Sequence, residues 1–388
     1  MDSGKNGHGA RIRAVMATAG VTRIDHFVAT HYHEDHYGGI DDLVALGVAV
    51  TNAYDRGEKD ELGAGKQAEP TFVGYQAAVG SRAEQLDRGE TIPLDPAMTV
   101  TCVASGGMVI GELNPTVGTD ENDMSVALLV QFGDFRYFVG GDIELTTEGK
   151  IAARDLVLDV DLYQANHHGS HTSSSLAFIQ DMVPTVVIIS NGNNATYEHP
   201  RQHTLNQLAT LDPQPTVFQT NKYLKGGAGG NVPDVRIADP QTVDQDGTIL
   251  VTVTLATGEF VLTYPDTERR FSIKARGGTA PGSIVIESLL PNPVGDENVL
   301  EEVTIRNAGG TTVTLAGWML RDAHGHALSL DSLGQIAPGQ SLTIRRNGAA
   351  MSQNNTGDTI TVFGPSNQPG DSFTYSTTTE GVRIVTGR

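Results

Sequence analysis

The segment THYHEDHYGG, residues 30–39, constrains the fold of this 388-residue chain more than any other stretch. Six consecutive positions there hold three of the chain's 12 histidines and two acids: His31, His33, Glu34, Asp35 and His36. Imidazole and carboxylate together suit a borderline divalent metal such as Zn²⁺. His31 and His33 lie two positions apart and face one side, whereas Asp35 and His36 point elsewhere. The spacing can therefore serve two metal ions.

The hydrophobic pattern around this segment predicts an α/β fold. Residues 10–20 have the spacing of a short helix, and IDHFVAT has that of a strand leading into the histidines. GIDDLVALG then predicts a helix, and VAVTNAYD predicts a second strand. This order of strand, polar loop, helix and strand is typical of an α/β domain.

Further along the chain, other strands also end in polar residues. RYFVGGD ends at Asp142, VDLYQANHHGSH contains His167 and His168, and the strand TVVIIS leads into a loop that carries His199. Because α/β folds collect polar residues from loops at strand ends, we expect these positions to meet the first motif. One turn cannot complete a metal shell, so they are the candidates for the remaining ligands.

Composition limits the classes of function. The chain has 46 acidic residues against 26 Lys and Arg, a net charge of −20, which opposes unassisted binding to a polyphosphate backbone. Bound metal would then have to supply positive charge at a phosphate ester. Cys102 is the sole cysteine, so an intramolecular disulfide is excluded, and its strand-like surroundings predict burial. No apolar run approaches the roughly 18 residues needed to span a bilayer, and we expect no membrane insertion by this chain.

The pattern changes after Tyr264. Residues 266–281 are polar and basic and predict a linker between a first domain, 1–265, and a second domain, 282–388. The second domain has short segments that alternate in period two with turns between them, which is typical of a β-sandwich. Its only tryptophan, Trp318, is expected to fill the core of that sandwich.

The motifs, taken in order, resemble the metallo-β-lactamase fold. His-x-His-x-Asp-His, GGD, HHGSHTSS and YEHP are similar to the subgroup that contains the soluble hydrolase domain of ComEC-type DNA-uptake proteins, over roughly residues 1–262. The resemblance implies an αββα sandwich with a binuclear metal centre at one edge of its sheets. Residues 282–388 resemble a lamin tail domain, an all-β immunoglobulin-like sandwich, through LLPNP, EEVTIRNAG and LAGWMLRD.

The resemblance also implies roles for individual residues. His31 and His33 would hold the first of two divalent ions, Asp35 and His36 the second, and Asp142 would bridge them, with zinc preferred to manganese. Either His167 or His168 would complete the second site. His199 would contact a phosphate or protonate a leaving oxygen.

Two departures from the family pattern bear on these expectations. Where the broader fold has another histidine before the bridging aspartate, this chain has Asn122, Asp123 and Ser125, so we expect the first metal to be weakly held or completed by water. Family members also begin with a strand pair before a DxG-like turn, whereas Asp2-Ser3-Gly4 follows the start of this sequence directly. We therefore expect an N-terminally truncated version of the fold.

These expectations favour a metal-dependent hydrolase of phosphodiester bonds, a nuclease or phosphodiesterase, with single-stranded DNA as a candidate substrate. A water activated between the metals would attack, with Asp35 orienting it or accepting its proton. Two alternatives stay open: hydrolysis of another ester or a lactam at the same centre, and a surface adhesion or scaffold protein with a vestigial hydrolase domain. The lamin-tail domain would tether the chain to a surface or partner, outside the cell or on its surface.

Overall fold

The computed structural model describes residues 1–57, 69–95, 97–112, 120–241, 247–265, 267–274, 284–309, 312–365, 367 and 369–386. Within these ranges the α-helices are α1 (Gly9–Thr18), α2 (Glu34–Tyr37), α3 (Ile40–Ala45), α4 (Pro70–Val79), α5 (Leu145–Ala152), α6 (Leu176–Met182), α7 (Gln202–Leu208) and α8 (Glu297–Leu300). The first seven belong to the N-terminal unit.

Three sheets form the N-terminal unit. A parallel sheet has the order β1 (Arg23–Val28), β2 (Ala49–Asp55), β3 (Ala83–Gln85). The large sheet has the order β11 (Ile237–Asp239), β10 (Thr216–Asn221), β9 (Val186–Ile189), β8 (Leu162–Gln164), β7 (Phe135–Val139), β6 (Ala127–Phe132), β4 (Met98–Ser105), β5 (Met108–Val109). A third, antiparallel sheet contains β12 (Leu250–Thr254), β13 (Glu259–Tyr264) and β14 (Thr267–Ser272).

These elements stack as helices, sheet, sheet and helices, which is the αββα sandwich. Val28 and Tyr54 of the small sheet pack against Cys102 and Leu128 of the large sheet in one buried cluster. A second cluster covers the outer face of the small sheet with α3 and α4, and a third covers the outer face of the large sheet with α5, α6 and α7. Cys102 is fully buried as predicted, and burial raises the pKa of its thiol.

The parallel half of the large sheet positions the candidate ligands. Strands β7, β8 and β9 run in the same direction, so their carboxyl ends lie along one edge. Asp142 follows β7, His167 and His168 follow β8, and the loop to His199 follows β9. The histidine motif follows β1 of the facing sheet, and the predicted convergence at this edge follows from that topology.

The linker predicted at residues 266–281 is wrong in its first part. Residues Thr267–Ser272 form β14, which pairs with β13 along its whole length. The backbone N–H of Lys274 then donates to Asp161, and its ammonium lies 2.8 Å from Asp159. The charged run resembles a solvated linker in sequence because its side chains are mostly exposed. Its backbone nevertheless forms the third strand of the antiparallel sheet with β12 and β13. Residues 266 and 275–281 lie outside the described part of the chain.

The C-terminal unit is an all-β sandwich. Its sheets have the orders β21 (Ser341–Arg345), β16 (Glu302–Asn307), β15 (Ile284–Leu290), β24 (Ile384–Val385), then β17 (Val313–Thr314) with β20 (Gln335–Ile336), and β19 (Ala327–Ser329), β18 (Met319–Arg321), β22 (Gly357–Phe363), β23 (Pro369–Ser376). Trp318 is buried in the core between them, as predicted. One short helix, α8, escapes prediction from sequence, and the side chain of Asp296 caps its first turn.

The two units share apolar packing. Phe363, from β22 of the C-terminal unit, is buried in the same cluster as Ile151 of α5 and Leu156 beyond it. The guanidinium carbon of Arg321 lies 4.5 Å from the centre of the Phe363 ring. None of the helices in the described ranges has the length and apolarity needed to cross a bilayer.

Candidate metal centre

One buried carboxylate oxygen organises the candidate site. Oδ2 of Asp142 lies 3.2 Å from Nε2 of His36, 3.6 Å from Nε2 of His168, 3.9 Å from Nε2 of His167 and 4.0 Å from Nε2 of His31. Ligands of one Zn²⁺, bound at about 2.0–2.2 Å, lie at comparable distances from one another. The residues predicted from three separate stretches of sequence therefore meet at a carboxylate that can serve more than one cation.

Close approach of two loops requires a glycine before this aspartate. Gly141 has φ +56°, and a Cβ there would lie 2.7 Å from the Cβ of Thr30. Thr30 immediately precedes the histidine motif, so the glycine lets the loops from β1 and β7 pack together. The lack of space for a Cβ therefore explains why the second position of the GG pair in VGGD is a glycine.

Contacts behind the ligands aim the imidazoles inward. Nδ1 of His36 donates to Oδ2 of Asp2 at 2.9 Å, and Nδ1 of His168 donates to the carbonyl oxygen of Ser190 at 2.8 Å. Both bonds leave Nε2 facing Asp142. Such partners of the second ring nitrogen are the usual means of orienting a metal-binding histidine.

The candidate ligands divide into two groups that share one histidine. His31, His36 and Asp142 have donor atoms within 4.8 Å of one another, and so do Asp35, His36 and His168. His33 lies outside both groups, although its Nδ1 is 3.0 Å from Nε2 of His31. The structure thus brings the predicted residues together but places His36 beside His31 as well as beside Asp35.

The two histidines of HHGS differ in their surroundings. Nε2 of His168 lies 3.5 Å from Oδ2 of Asp35, whereas Nδ1 of His167 lies 3.1 Å from Oε1 of Glu144. Both have left-handed backbones, with φ of 49° for His167 and 53° for His168. Two consecutive non-glycine residues in this conformation are strained, and such strain concentrates at functional sites.

The residues that stand in place of a further histidine support the site from behind. Oγ of Ser125 lies 3.1 Å from Nδ1 of His31 and accepts a hydrogen bond from the backbone N–H of Asp142. Oδ1 of Asp123 accepts the backbone N–H groups of Glu144 and Thr147 at the start of α5. In the described part of the chain Asp123 belongs to neither group of side chains with metal-ligand spacing.

The ionisable side chains of the candidate metal centre shift one another's pKa values. Burial alone would raise the pKa of Asp142, but His36 and His168 hold it well below its usual range. Burial lowers the pKa of His36, yet Asp142 and Asp2 together raise it well above its usual value. Burial, and then His167, lower the pKa of His199 to about 3. A carboxylate kept ionised among histidines is the electrostatic arrangement that favours a cation.

The donor set fits divalent metal ions. Nε2 of His36 and Nε2 of His168 are buried and make no hydrogen bond to any described residue. Buried polar atoms normally have a bonding partner, so we expect a bound ligand at these two nitrogen atoms. Imidazole nitrogen and carboxylate oxygen atoms bind zinc well, and they also bind manganese.

Sequence reasoning missed residues that hold the motif loop. Asp2 stands in the DxG-like turn, but its role toward His36 appears only in three dimensions. Oε1 of Glu121 accepts the backbone N–H of Tyr32 at 2.6 Å, and its carboxylate makes paired bonds of 2.8 and 2.9 Å with Arg56. These partners are separated by 34 to 89 residues, and short motifs give no signal for such contacts.

Comparisons with known proteins agree with the two units. A family model described as Lamin Tail Domain matches residues 278–377. The chain is similar to ComE operon protein 3 of Bacillus subtilis (strain 168), with 24% identity over 201 residues, and to Competence protein ComA of Neisseria gonorrhoeae, with 26% identity over 203 residues. Each match covers 50% of this chain but only 23% and 24% of those proteins.

Solved structures show weaker similarity. A putative metal-dependent hydrolase from Parabacteroides distasonis has 17% identity and a TM-score of 0.32, over 51% of this chain and 76% of its own. Zn(2+)-bound PqqB from Methylobacterium extorquens has 13% identity and a TM-score of 0.34, over 56% of this chain and 80% of its own.

The layers and the motifs give the N-terminal unit the αββα arrangement of the metallo-β-lactamase fold. Half of the chain is similar to the two competence proteins, and residues 278–377 match the lamin tail domain.

Proposed function

We propose that this chain is a metal-dependent hydrolase of phosphodiester bonds, acting as a phosphodiesterase or nuclease. The observation that carries the proposal is the set of four imidazole Nε2 atoms within 4.0 Å of Oδ2 of Asp142. Two cations that share one carboxylate suit in-line displacement at a phosphoryl group. The similarity of half the chain to two competence proteins supports a nucleic-acid ester as the substrate class.

We keep the assignment of ligands that the family resemblance implies, with His168 chosen over His167 because Nε2 of His168 lies 3.5 Å from Oδ2 of Asp35. His31, His33 and Asp142 would hold one cation, and Asp35, His36, His168 and Asp142 the other. When bound, two divalent cations, with zinc preferred to manganese, supply positive charge for the phosphoryl oxygens and lower the pKa of water.

The remaining roles belong to side chains at the mouth of the site. Asp35 is 41% exposed and lies beside His168, so its carboxylate can orient an attacking water or accept its proton. His199 packs edge-on against His167, with ring centres 5.2 Å apart, where it can contact a substrate oxygen. Its lowered pKa favours that role over protonation of the leaving oxygen.

The net charge of −20 limits the class of substrate that the chain can bind. Binding along a duplex groove relies on many phosphate contacts from basic residues, which an acidic surface opposes. A small phosphodiester or a single strand therefore suits the site better than duplex DNA. The lamin tail domain would act as a tether to a surface or partner, outside the cell or on its surface.

Metal analysis together with hydrolysis tests the proposal. Purified protein should contain about two equivalents of zinc or manganese and should hydrolyse bis-p-nitrophenyl phosphate or single-stranded DNA in preference to a cephalosporin. Asp142→Ala should lose both metal and activity, and Asp35→Ala should lose most activity, whereas the surface variant Asp25→Ala should keep both. Less than about one equivalent of metal together with no hydrolysis would contradict an enzymatic role and favour an adhesion or scaffold role. Full activity in Asp142→Ala would contradict the assignment of Asp142 to the active centre. Preferential cleavage of the cephalosporin would favour the lactam alternative.

A further inference from the structure

The aromatic residues of this chain are almost all hidden from solvent. It has one tryptophan, ten tyrosines and eleven phenylalanines, and every one of them lies in the described part. Tyr197 alone is exposed, at 59%. An aromatic ring left in water gains nothing from burial, so packing in the core does not account for the position of Tyr197.

Tyr197 lies at the candidate metal centre. Its ring is nearly parallel to that of His199, with an interplanar angle of 15° and ring centres 6.0 Å apart. The His199 ring is in turn 5.2 Å from the His167 ring and 6.3 Å from the His168 ring. The exposed tyrosine is therefore one ring away from the histidines that surround Asp142.

The loop that carries Tyr197 is held in place by its neighbours. Glu198 has a left-handed backbone, with φ of 58°, and its Oε2 lies 2.6 Å from Nη1 of Arg201. The backbone N–H of Ala228 also donates to Glu198, and Asn194 accepts the backbone N–H of Thr196 through its side chain. The phenol ring is thus presented on an ordered turn, and a preorganised ring costs little entropy when it binds.

An ordered, exposed aromatic ring beside a phosphodiester site fits a stacking role. Bases stack on aromatic side chains whatever their sequence, and single strands offer unstacked bases for this purpose. The acidic chain cannot rely on neutralising many phosphates, so contact with a base would supply binding that charge does not. A base in an intact duplex is already stacked and would not reach the ring.

We infer that Tyr197 is the stacking platform for a nucleobase next to the scissile phosphodiester, and that the substrates are single-stranded nucleotide esters. The inference rests on the proposed function and adds the part of the substrate that is recognised beyond the phosphate.

The test compares an oligothymidylate with an oligomer of the same length made of abasic tetrahydrofuran residues. Tyr197→Ala should lower kcat/KM on oligothymidylate by about 5- to 100-fold, chiefly by raising KM, and should leave the abasic oligomer unchanged. Tyr197→Phe keeps the ring and should retain most of the wild-type kcat/KM. Metal content, measured in parallel, should be the same in all three proteins.

Three results would overturn the inference. An equal fall on both oligomers in Tyr197→Ala would show that the ring only supports His199, and no change on either would show that no base stacks there. Failure of the wild-type protein to cleave either oligomer, while it still hydrolyses bis-p-nitrophenyl phosphate, would overturn the inference and leave the proposed function standing. Failure on all three substrates would contradict the proposed function itself.

Discussion

Oδ2 of Asp2 lies 2.9 Å from Nδ1 of His36, a residue 34 positions along the chain. The same carboxylate accepts the backbone N–H of Thr30 at 2.8 Å. Asp2 therefore fixes both the imidazole that lies nearest to Asp142 and the backbone just before the histidine motif. The arrangement matches the carboxylate–histidine pairs that orient ligands in metal sites.

Removing this carboxylate should weaken metal binding. We expect Asp2→Ala to lower the affinity for zinc by about 10- to 100-fold, because His36 loses the partner that orients Nε2. Isothermal titration with zinc after chelation measures the change. Asp25→Ala, which removes a carboxylate from an exposed pair with Arg23, is the matched control and should bind as the wild type does. Equal affinities in the two variants would show that Asp2 does not orient the ligand.

The two neighbouring histidines should differ in metal content. His168 faces Asp35 and is anchored through Ser190, so His168→Ala should lose about one equivalent of metal. His167 faces Glu144, so His167→Ala should lower activity while keeping more of the metal. Elemental analysis of both purified variants decides between them, and the reverse ranking would make His167 the ligand.

The buried pair of Arg56 and Glu121 should be important for stability. Arg56→Met leaves Glu121 without its paired bonds, and breaking a buried ion pair from one side costs about 3–5 kcal/mol. Because the Glu121 side chain keeps 17% exposure, we expect the free energy of unfolding to fall toward the lower end of that range. Denaturation with urea measures it.

An exposed pair provides the control for that experiment. Arg270 and Glu268 have side chains that are 61% and 49% exposed, so Arg270→Met should cost less than about 1 kcal/mol. Equal losses in the two variants would mean that the Arg56 pair is no more than a surface contact.

Glu301 should make the lamin tail domain less stable as the pH rises. Burial is the main cause that raises the pKa of this carboxyl from 4.5 to about 7. A pKa raised by folding gives stability that is complete below pH 4.5 and lost as the pH passes 7, by about 1–3 kcal/mol. Fluorescence of Trp318, the only tryptophan, follows unfolding of this domain. Glu301→Gln should flatten the dependence between pH 4.5 and 8, and parallel curves for variant and wild type would contradict the assignment.

The sequence allowed prediction of the fold and of the convergence of ligands, for a physical reason. Each candidate ligand follows a strand with a clear apolar pattern, and parallel strands bring such ends to one edge. Asp142, for example, could be placed from the hairpin that precedes it. The partition of ligands between two metals remains a prediction, because it depends on side-chain directions that spacing along the chain does not determine.

What could not be predicted depends on contacts between distant residues. No local sequence pattern predicts the hydrogen bonds of Asp2 with His36 and of Glu121 with Tyr32. The strand at Thr267–Ser272 was missed for a different reason. Its sequence, TERRFS, is charged because one face is open to water, while its backbone bonds to β13 are independent of side-chain character.

The position of Phe363 affects how the two units would respond to a pulling force. The ring belongs to the C-terminal unit but is buried with Ile151 of α5, and α5 begins three residues after Asp142. If the lamin tail domain is a tether, tension on it is borne partly by this contact, which lies close in sequence to Asp142. Pulling Phe363 out would expose apolar surface on both units, so separating the two units at this contact costs free energy.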